Sequence, residues 1–240
     1  MDACNVIVVR VTSPERAPAP PSVPVPPSAA DRAYQHTKDA IIRGELPGGT
    51  ALSEVTVCSE LGLSRTPVHE AFLRLAAENL LTLASRKGAL VRPMAPSEAA
   101  DVLEMREAVE ASAARRAIAD GRAAEAAPAL DEALRRQERA LAAGRSDPPD
   151  AAAIEAFVAA DDAFHTAVVD ASRNPIALHF TGLLRDRQQR LRHQLMRVHP
   201  DQLRPALDQH RRLAAALAAG DADGYASVLS EHIAMHQGIL

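Results

Sequence analysis

Tryptophan is absent, and 240 residues include only two tyrosines and four phenylalanines. The apolar mass is therefore Ala, Leu and Val, and an Ala/Leu/Arg/Glu-rich chain leans strongly toward helix. Cysteine is nearly missing too. Cys4 and Cys58 give no disulfide framework, which suits a reducing cytoplasm. Among 27 basic residues only Lys38 and Lys87 are lysines, a bias that reads as genomic base composition. No apolar run approaches the ~18 residues of a membrane span. The Val6–Val9 run is too short for a signal-peptide core, is followed by Arg10 and lacks a basic leader. No membrane association and a cytoplasmic location are the expectation. There is no nucleophile elbow, no phosphate loop and no separate general base at motif spacing, so an enzyme is not expected.

What is present is unevenly placed. The net charge of −4 argues against a non-specific nucleic-acid coat, but residues 32–94 carry +2 and residues 97–240 carry −5. Seven of the 17 prolines fall between Pro14 and Pro27. A stretch so rich in Pro, Ala and Ser builds neither helix nor ladder, so residues 1–31 read as a disordered tail, with an ordered arm as the alternative.

From Asp31 the pattern changes. Arg32–Arg43 reads as a helix ended by Gly44, and Pro47-Gly48-Gly49 as a turn. Ser53 can cap a second helix, Glu54–Leu61, closed by Gly62. Gly62-Leu63-Ser64 then leads into Ser64–Leu75, with Ser64 as cap, Pro67 in the first turn and Val68, Ala71, Phe72 and Leu75 as a buried stripe. That is helix, turn, helix at the expected spacing. Two short strands, about Leu81–Leu83 and Ala89–Arg92, follow, joined at Ser85-Arg86-Lys87-Gly88 as a basic wing. Arg65, Thr66 and His69 are left free at the leading end of the third helix. Arg65 has the fork that grips guanine O6 and N7, and Thr66 and Ser64 suit a thymine methyl or phosphates. Arg86, Lys87 and Gly88 suit a backbone or minor-groove contact, with Gly88 permitting close approach. A small winged fold that binds protein is the plainer alternative.

Pro93 and Pro96 mark a linker, 94–96. Beyond it helices are expected near 97–119, 123–143, 150–172, 176–198, 201–219 and 222–238, forming an antiparallel bundle. Asp161 and His165 are spaced i, i+4 beside Phe157, Phe164 and Val168, on a face that turns inward. His210 and His232 lie on two later helices. One Asp and three His from three helices can close on a divalent ion, and this donor set suits Zn, Ni, Mn or Fe. Scattered core or surface histidines are the alternative. His179, His193, His199 and His236 are expected at the surface, and Arg185, Arg187, Arg190 and Arg192 as a solvated charge run.

Residues 34–93 resemble the winged-helix domain of GntR-type transcription regulators. The carrying residues are Gly44-Glu45-Leu46-Pro47-Gly48-Gly49, Leu52-Ser53-Glu54 and, most specifically, Leu61-Gly62-Leu63-Ser64-Arg65-Thr66-Pro67-Val68-His69-Glu70-Ala71. His69 stands where the family usually has a DNA-contacting arginine, and Asn79 where it usually has Gly. Residues 97–240 resemble the FCD ligand-binding domain of the FadR subfamily, in its six-helix, VanR-like length. The match rests on Asp161-x-x-Phe164-His165, Asn174, His210, Gly220-Asp221 and His232.

The resemblance implies a metal site of Asp161, His165, His210 and His232, holding Zn, Ni or Mn. It also implies that Arg106 lines an effector pocket, where it could pair with a carboxylate; an ordinary ion pair with Glu110 is the alternative. The whole is then mainly α: an N-terminal winged helix-turn-helix, 32–93, followed by an all-α bundle, 97–240, that dimerises and senses. The function implied is a homodimeric repressor on a palindromic double-stranded DNA operator, controlled by a small-molecule effector, a carboxylate by the resemblance. A direct metal-sensing regulator is the second reading, and a metal-dependent hydrolase the third.

Overall fold

A computed structural model describes residues 26–84, 88–143 and 149–237. The order is α1 (Ala29–Ile42), β1 (Ala51–Ser53), α2 (Glu54–Leu61), α3 (Arg65–Ala77), β2 (Leu81–Ala84), β3 (Gly88–Val91), α4 (Pro96–Ala119), α5 (Ala123–Ala143), α6 (Ala151–Ala171), α7 (Pro175–Val198), a 3₁₀ turn (Pro200–Gln202), α8 (Leu203–Ala218) and α9 (Ala222–Gln237). The mainly helical class and the winged-head-plus-bundle layout agree with the sequence reading.

Local chemistry explains the ends. Helix α1 begins inside the stretch expected to be tail, because Ser28 and Asp31 form a reciprocal capping box, with Asp31 N–H donating to Ser28 Oγ at 3.1 Å. The rest of the expected tail, residues 1–25, lies outside the described residues. Ser53 caps α2 by accepting from Val55 N–H, and Gly62 ends it at φ 64°. Ser64, expected to cap α3, makes no side-chain capping bond. Asn79 turns the chain from α3 into β2 at φ 61°, a conformation Asn tolerates. Pro96 takes the first helical position of α4, so the linker is shorter than 94–96.

The sheet order is β1-β3-β2, antiparallel throughout, with Ala51 opposite Leu90 and Leu81 opposite Val91. Strand β1 was not foreseen; it is three residues long and carries no alternating pattern. Gly88 sits where β3 passes β1, and a Cβ there would come 2.6 Å from the Leu52 carbonyl oxygen. Its missing side chain thus lets β1 pair with β3. Arg86 and Lys87 lie outside the described residues. The head's core is Tyr34, Ile41, Val57, Val68, Phe72, Leu75, Leu81 and Val91.

The six helices α4–α9 pack around a second core that includes Leu103, Phe164, Val168, Leu191, Leu213, Leu217, Tyr225 and Leu229. Alanines such as Ala114, Ala117, Ala133 and Ala171 keep the backbones close. Asn174 caps α7 through two backbone N–H groups, and Pro175 occupies its first turn. Helix α7 also touches the head. Lys38 of α1 lies 2.6 Å from Asp186 and 3.0 Å from Glu78, and Arg190 donates to the Arg92 carbonyl. Among the described residues no helix is long and apolar enough to cross a membrane.

Phe72 is fully buried between α1, α3 and the sheet. Phe72→Ala is expected to lower stability by about 3–5 kcal/mol, read as a lower urea midpoint of the head.

Candidate functional site

Helix α6 carries Asp161 and His165 one turn apart on its inward face, flanked by the buried Phe157, Phe164 and Val168. Helices α8 and α9 bring His210 and His232 to the same point. One ligand-type atom from each of the four lies within 4.8 Å of all the others. His165 Nε2 is 3.1 Å from His210 Nε2, and His210 Nε2 is 3.3 Å from Asp161 Oδ1. All four residues are buried.

The far side of each ring is held. Glu110 of α4 places both carboxylate oxygens 2.8 Å from His165 Nδ1. His210 Nδ1 is 2.7 Å from Gln137 Oε1, and His232 Nδ1 is 2.9 Å from Gln209 Oε1. These oxygens only accept, so Nδ1 carries the proton and each Nε2 turns a lone pair to the centre. Two such lone pairs 3.1 Å apart repel unless a cation lies between them. The donor set therefore fits a divalent ion, and its outer hydrogen bonds are those that orient ligating histidines.

The electrostatics agree. Burial pushes His165 down to about 4, with the Arg106 guanidinium adding to it, so the ring is neutral at pH 7. Burial and the neighbouring His210 hold His232 well below its ordinary value. Burial raises the Asp161 carboxyl, but the Arg192 guanidinium, together with Arg106, outweighs it and keeps the group well below the usual carboxylate range.

Arg106 points into this cluster. Its Nη2 is 3.4 Å from His232 Nε2 and 4.0 Å from Asp161 Oδ2, while Nε is 3.8 Å from Glu110 Oε2. It borders the small cavity beside the cluster and sits at i, i+4 from Glu110. Arg192 is not solvated: it is buried, with Nη1 on Asp161 Oδ2, because the inward stripe of α7 runs through Gln188, Leu191, Arg192 and Leu195. Arg190 is buried as well. His236 is wholly buried, its ring edge-on to His232 at 4.8 Å, with neither nitrogen partnered among the described residues. His193 is buried too, whereas His179 is exposed and His199 half-buried.

Glu110, Gln137, Gln209, Tyr225 and Arg192 were missed. Gln137 had a signal: it interrupts the apolar stripe Ala126, Leu130, Ala133, Ala140 of α5. Tyr225 Oη donates to Glu110 at 2.6 Å. Beside the cluster, Arg106, Glu110, His165, Thr181 and Gln188 border a cavity of about 10 Å³, room for one water.

At the other end of the molecule Arg65, Thr66 and His69 form an exposed surface at the start of α3. Glu54 of α2, itself nearly buried, holds it: Oε1 is 2.8 Å from His69 Nδ1 and Oε2 is 3.8 Å from Arg65 Nε. Ser64 is exposed at the same end.

Comparison with known proteins agrees with both ends. Residues 101–235 match the family model described as "FCD domain", and residues 29–91 that described as "Bacterial regulatory proteins, gntR family". The "Probable D-xylose utilization operon transcriptional repressor" of Paenarthrobacter nicotinovorans is 31% identical over 197 residues, 82% of this chain and 81% of its own. The "HTH-type transcriptional repressor GlaR" of Escherichia coli (strain K12) is 28% identical over 205 residues, 83% of this chain and 90% of its own. A solved structure titled "E. coli McbR/YncC" superposes with a TM-score of 0.67 at 26% identity, covering 88% of this chain and 96% of that one.

Removing one partner of a buried ion pair strands the other. In chelator-treated protein, Arg192→Met is expected to lose about 3–5 kcal/mol of stability in urea denaturation, as Asp161 loses its nearest cation.

Proposed function

The chain belongs to the gntR family of bacterial regulatory proteins, with an FCD domain as its C-terminal part, and from that premise we propose how it works. It is a DNA-binding transcription regulator and not an enzyme. In our reading it represses as a homodimer on a palindromic operator, in the cytoplasm, and a small carboxylate bound beside a metal in the bundle controls it. The observation that carries this reading is the convergence of Asp161, His165, His210 and His232 with the Arg106 guanidinium inside the FCD domain.

The head presents Arg65 to a guanine edge and Ser64 and Thr66 to phosphate or a thymine methyl, with Arg86 and Lys87 of the wing on the backbone. Glu54 fixes the angle of Arg65 and His69 before DNA arrives. Arg65→Ala is expected to abolish specific operator binding with an unchanged circular dichroism spectrum; a retained footprint would remove α3 as the reading helix.

In the bundle the four ligands would hold Zn, Ni or Mn. When bound, such an ion would anchor a ligand oxygen as a Lewis acid. Arg106 would pair with the ligand's carboxylate, and Thr181 and Gln188 of α7 would border it. Since the space beside the cluster takes only one water, a larger ligand must displace α7. That helix holds Asp186 on Lys38 and Arg190 on the Arg92 carbonyl, so its displacement would reach the head. A ligand shifts operator binding only through such a difference between states. The same helix exposes Ile176, Phe180 and Leu183 as a stripe; a second copy would cover it in the dimer.

The small cavity favours a second reading, in which the metal alone is the signal. Operator titrations separate the two: metal alone suffices in the second reading, and metal plus a carboxylate is needed in the first. For the site itself, mass spectrometry of purified protein should find about one divalent ion per chain and none in His210→Ala. Gln137→Leu keeps all four ligands and should weaken metal affinity roughly 10–100-fold. Unchanged stoichiometry in His210→Ala would end the metal reading.

A further inference from the structure

The two buried arginines of α7 lie two residues apart and so face opposite ways on the helix. Arg192 looks into the cluster of Asp161. Arg190 looks out of the bundle toward the head, together with Gln194, Arg197 and Val198, which follow it at one-face spacing. These four side chains form one wall of a cavity of about 340 Å³. The end of α1 and the following turn form the second wall, through Ile41, Gly44, Leu46, Pro47 and Gly48. The linker, Pro93 and Met94, forms the third.

The charges in this cavity are unbalanced. Arg190 is 8% exposed, and its one hydrogen bond among the described residues is to a neutral acceptor, the Arg92 carbonyl. Among the described residues, neither Arg190 nor Arg197 has a carboxylate within ion-pair distance. The acids at this junction are already engaged. Glu98 lies 3.7 Å from both Arg92 and Arg187, and Glu45 is 3.0 Å from Arg43. A guanidinium keeps its charge, and burying one without a counter-ion is unfavourable. The opposite wall is apolar: Ile41, Leu46, Pro93, Met94 and the rim residue Val198. The volume lies in the range of small-molecule pockets.

We propose that this junction cavity is a second ligand site, separate from the Asp/His cluster, that takes an organic monoanion: a carboxylate on Arg190 and Arg197 with an apolar body against Ile41, Leu46 and Met94. It does not depend on the metal reading. The loop and linker walls are already closed on each other, since a Cβ on Gly48 would come 2.7 Å from Pro93 Cα. A molecule seated there touches the head, the linker and α7 at once. It therefore sets how the head stands on the bundle, and its binding and that of DNA are coupled.

The test is calorimetric titration of the full chain with octanoate, with octanamide and propionate as controls. Octanoate is expected to bind, octanamide to lose the charge contact and propionate the apolar one. Arg190→Gln should weaken octanoate at least about tenfold, as removal of one partner of a bonded charge pair does. Val198→Trp, on the exposed rim where folding is not at risk, should block it. The site is overturned by no octanoate binding, by octanamide binding equally well, or by undiminished binding in both Arg190→Gln and Val198→Trp.

Discussion

Asp161 is a carboxylate at the centre of a helical bundle, and the cost of burying it organises the domain. An uncompensated buried charge is expensive, so each group that stabilises it must itself be satisfied. Arg192 of α7 and Arg106 of α4 supply positive charge. Glu110 balances the second guanidinium and holds His165, and Tyr225 of α9 donates to Glu110. Gln137 of α5 and Gln209 of α8 hold the remaining rings. Every one of the six helices contributes at least one member of this polar network. Its geometry is therefore tied to the packing of the whole bundle, and a change at its centre is felt at each helix.

Helix α7 is where that network meets the rest of the molecule. Its inward face carries Gln188, Arg192 and Leu195, and its head-facing side carries Asp186, Arg190, Gln194 and Arg197. The head has its own core and needs no bundle residue to complete it. Its standing on the bundle is set by polar contacts and by a cavity, not by a shared apolar interior. Interfaces of that kind move more readily than cores, which suits a regulator whose DNA-reading surface must respond to events in another domain.

Legibility in the sequence followed the length scale of each signal. Both ends of α2 were readable from Ser53 and Gly62, because capping is decided within one turn. The bundle helices were readable to a few residues from Gly, Asn-Pro and Pro punctuation. Asp161 and His165 were visible as a pair because i, i+4 neighbours share a face whatever the tertiary fold. Strand β1 was not readable, since three residues carry no period and exist as a strand only against β3. The sequence marks His236 as a surface residue, yet it is wholly buried against His232. Arg190 and Arg192 looked like one charge run, because composition does not tell which side of a helix meets a neighbour.

The sequence by itself determined the helical class, the helix-turn-helix with its exposed Arg65, Thr66 and His69, and the family of the chain. These rest on local periodicity, capping and contiguous motifs. Only the tertiary structure decided that Glu110, Gln137, Gln209, Tyr225 and Arg192 surround the Asp/His cluster, that Glu54 holds the reading surface, and that a cationic cavity lies between head and bundle. Those relations join residues far apart in the chain. They are fixed by the burial of charge, which has no meaning until the helices have packed.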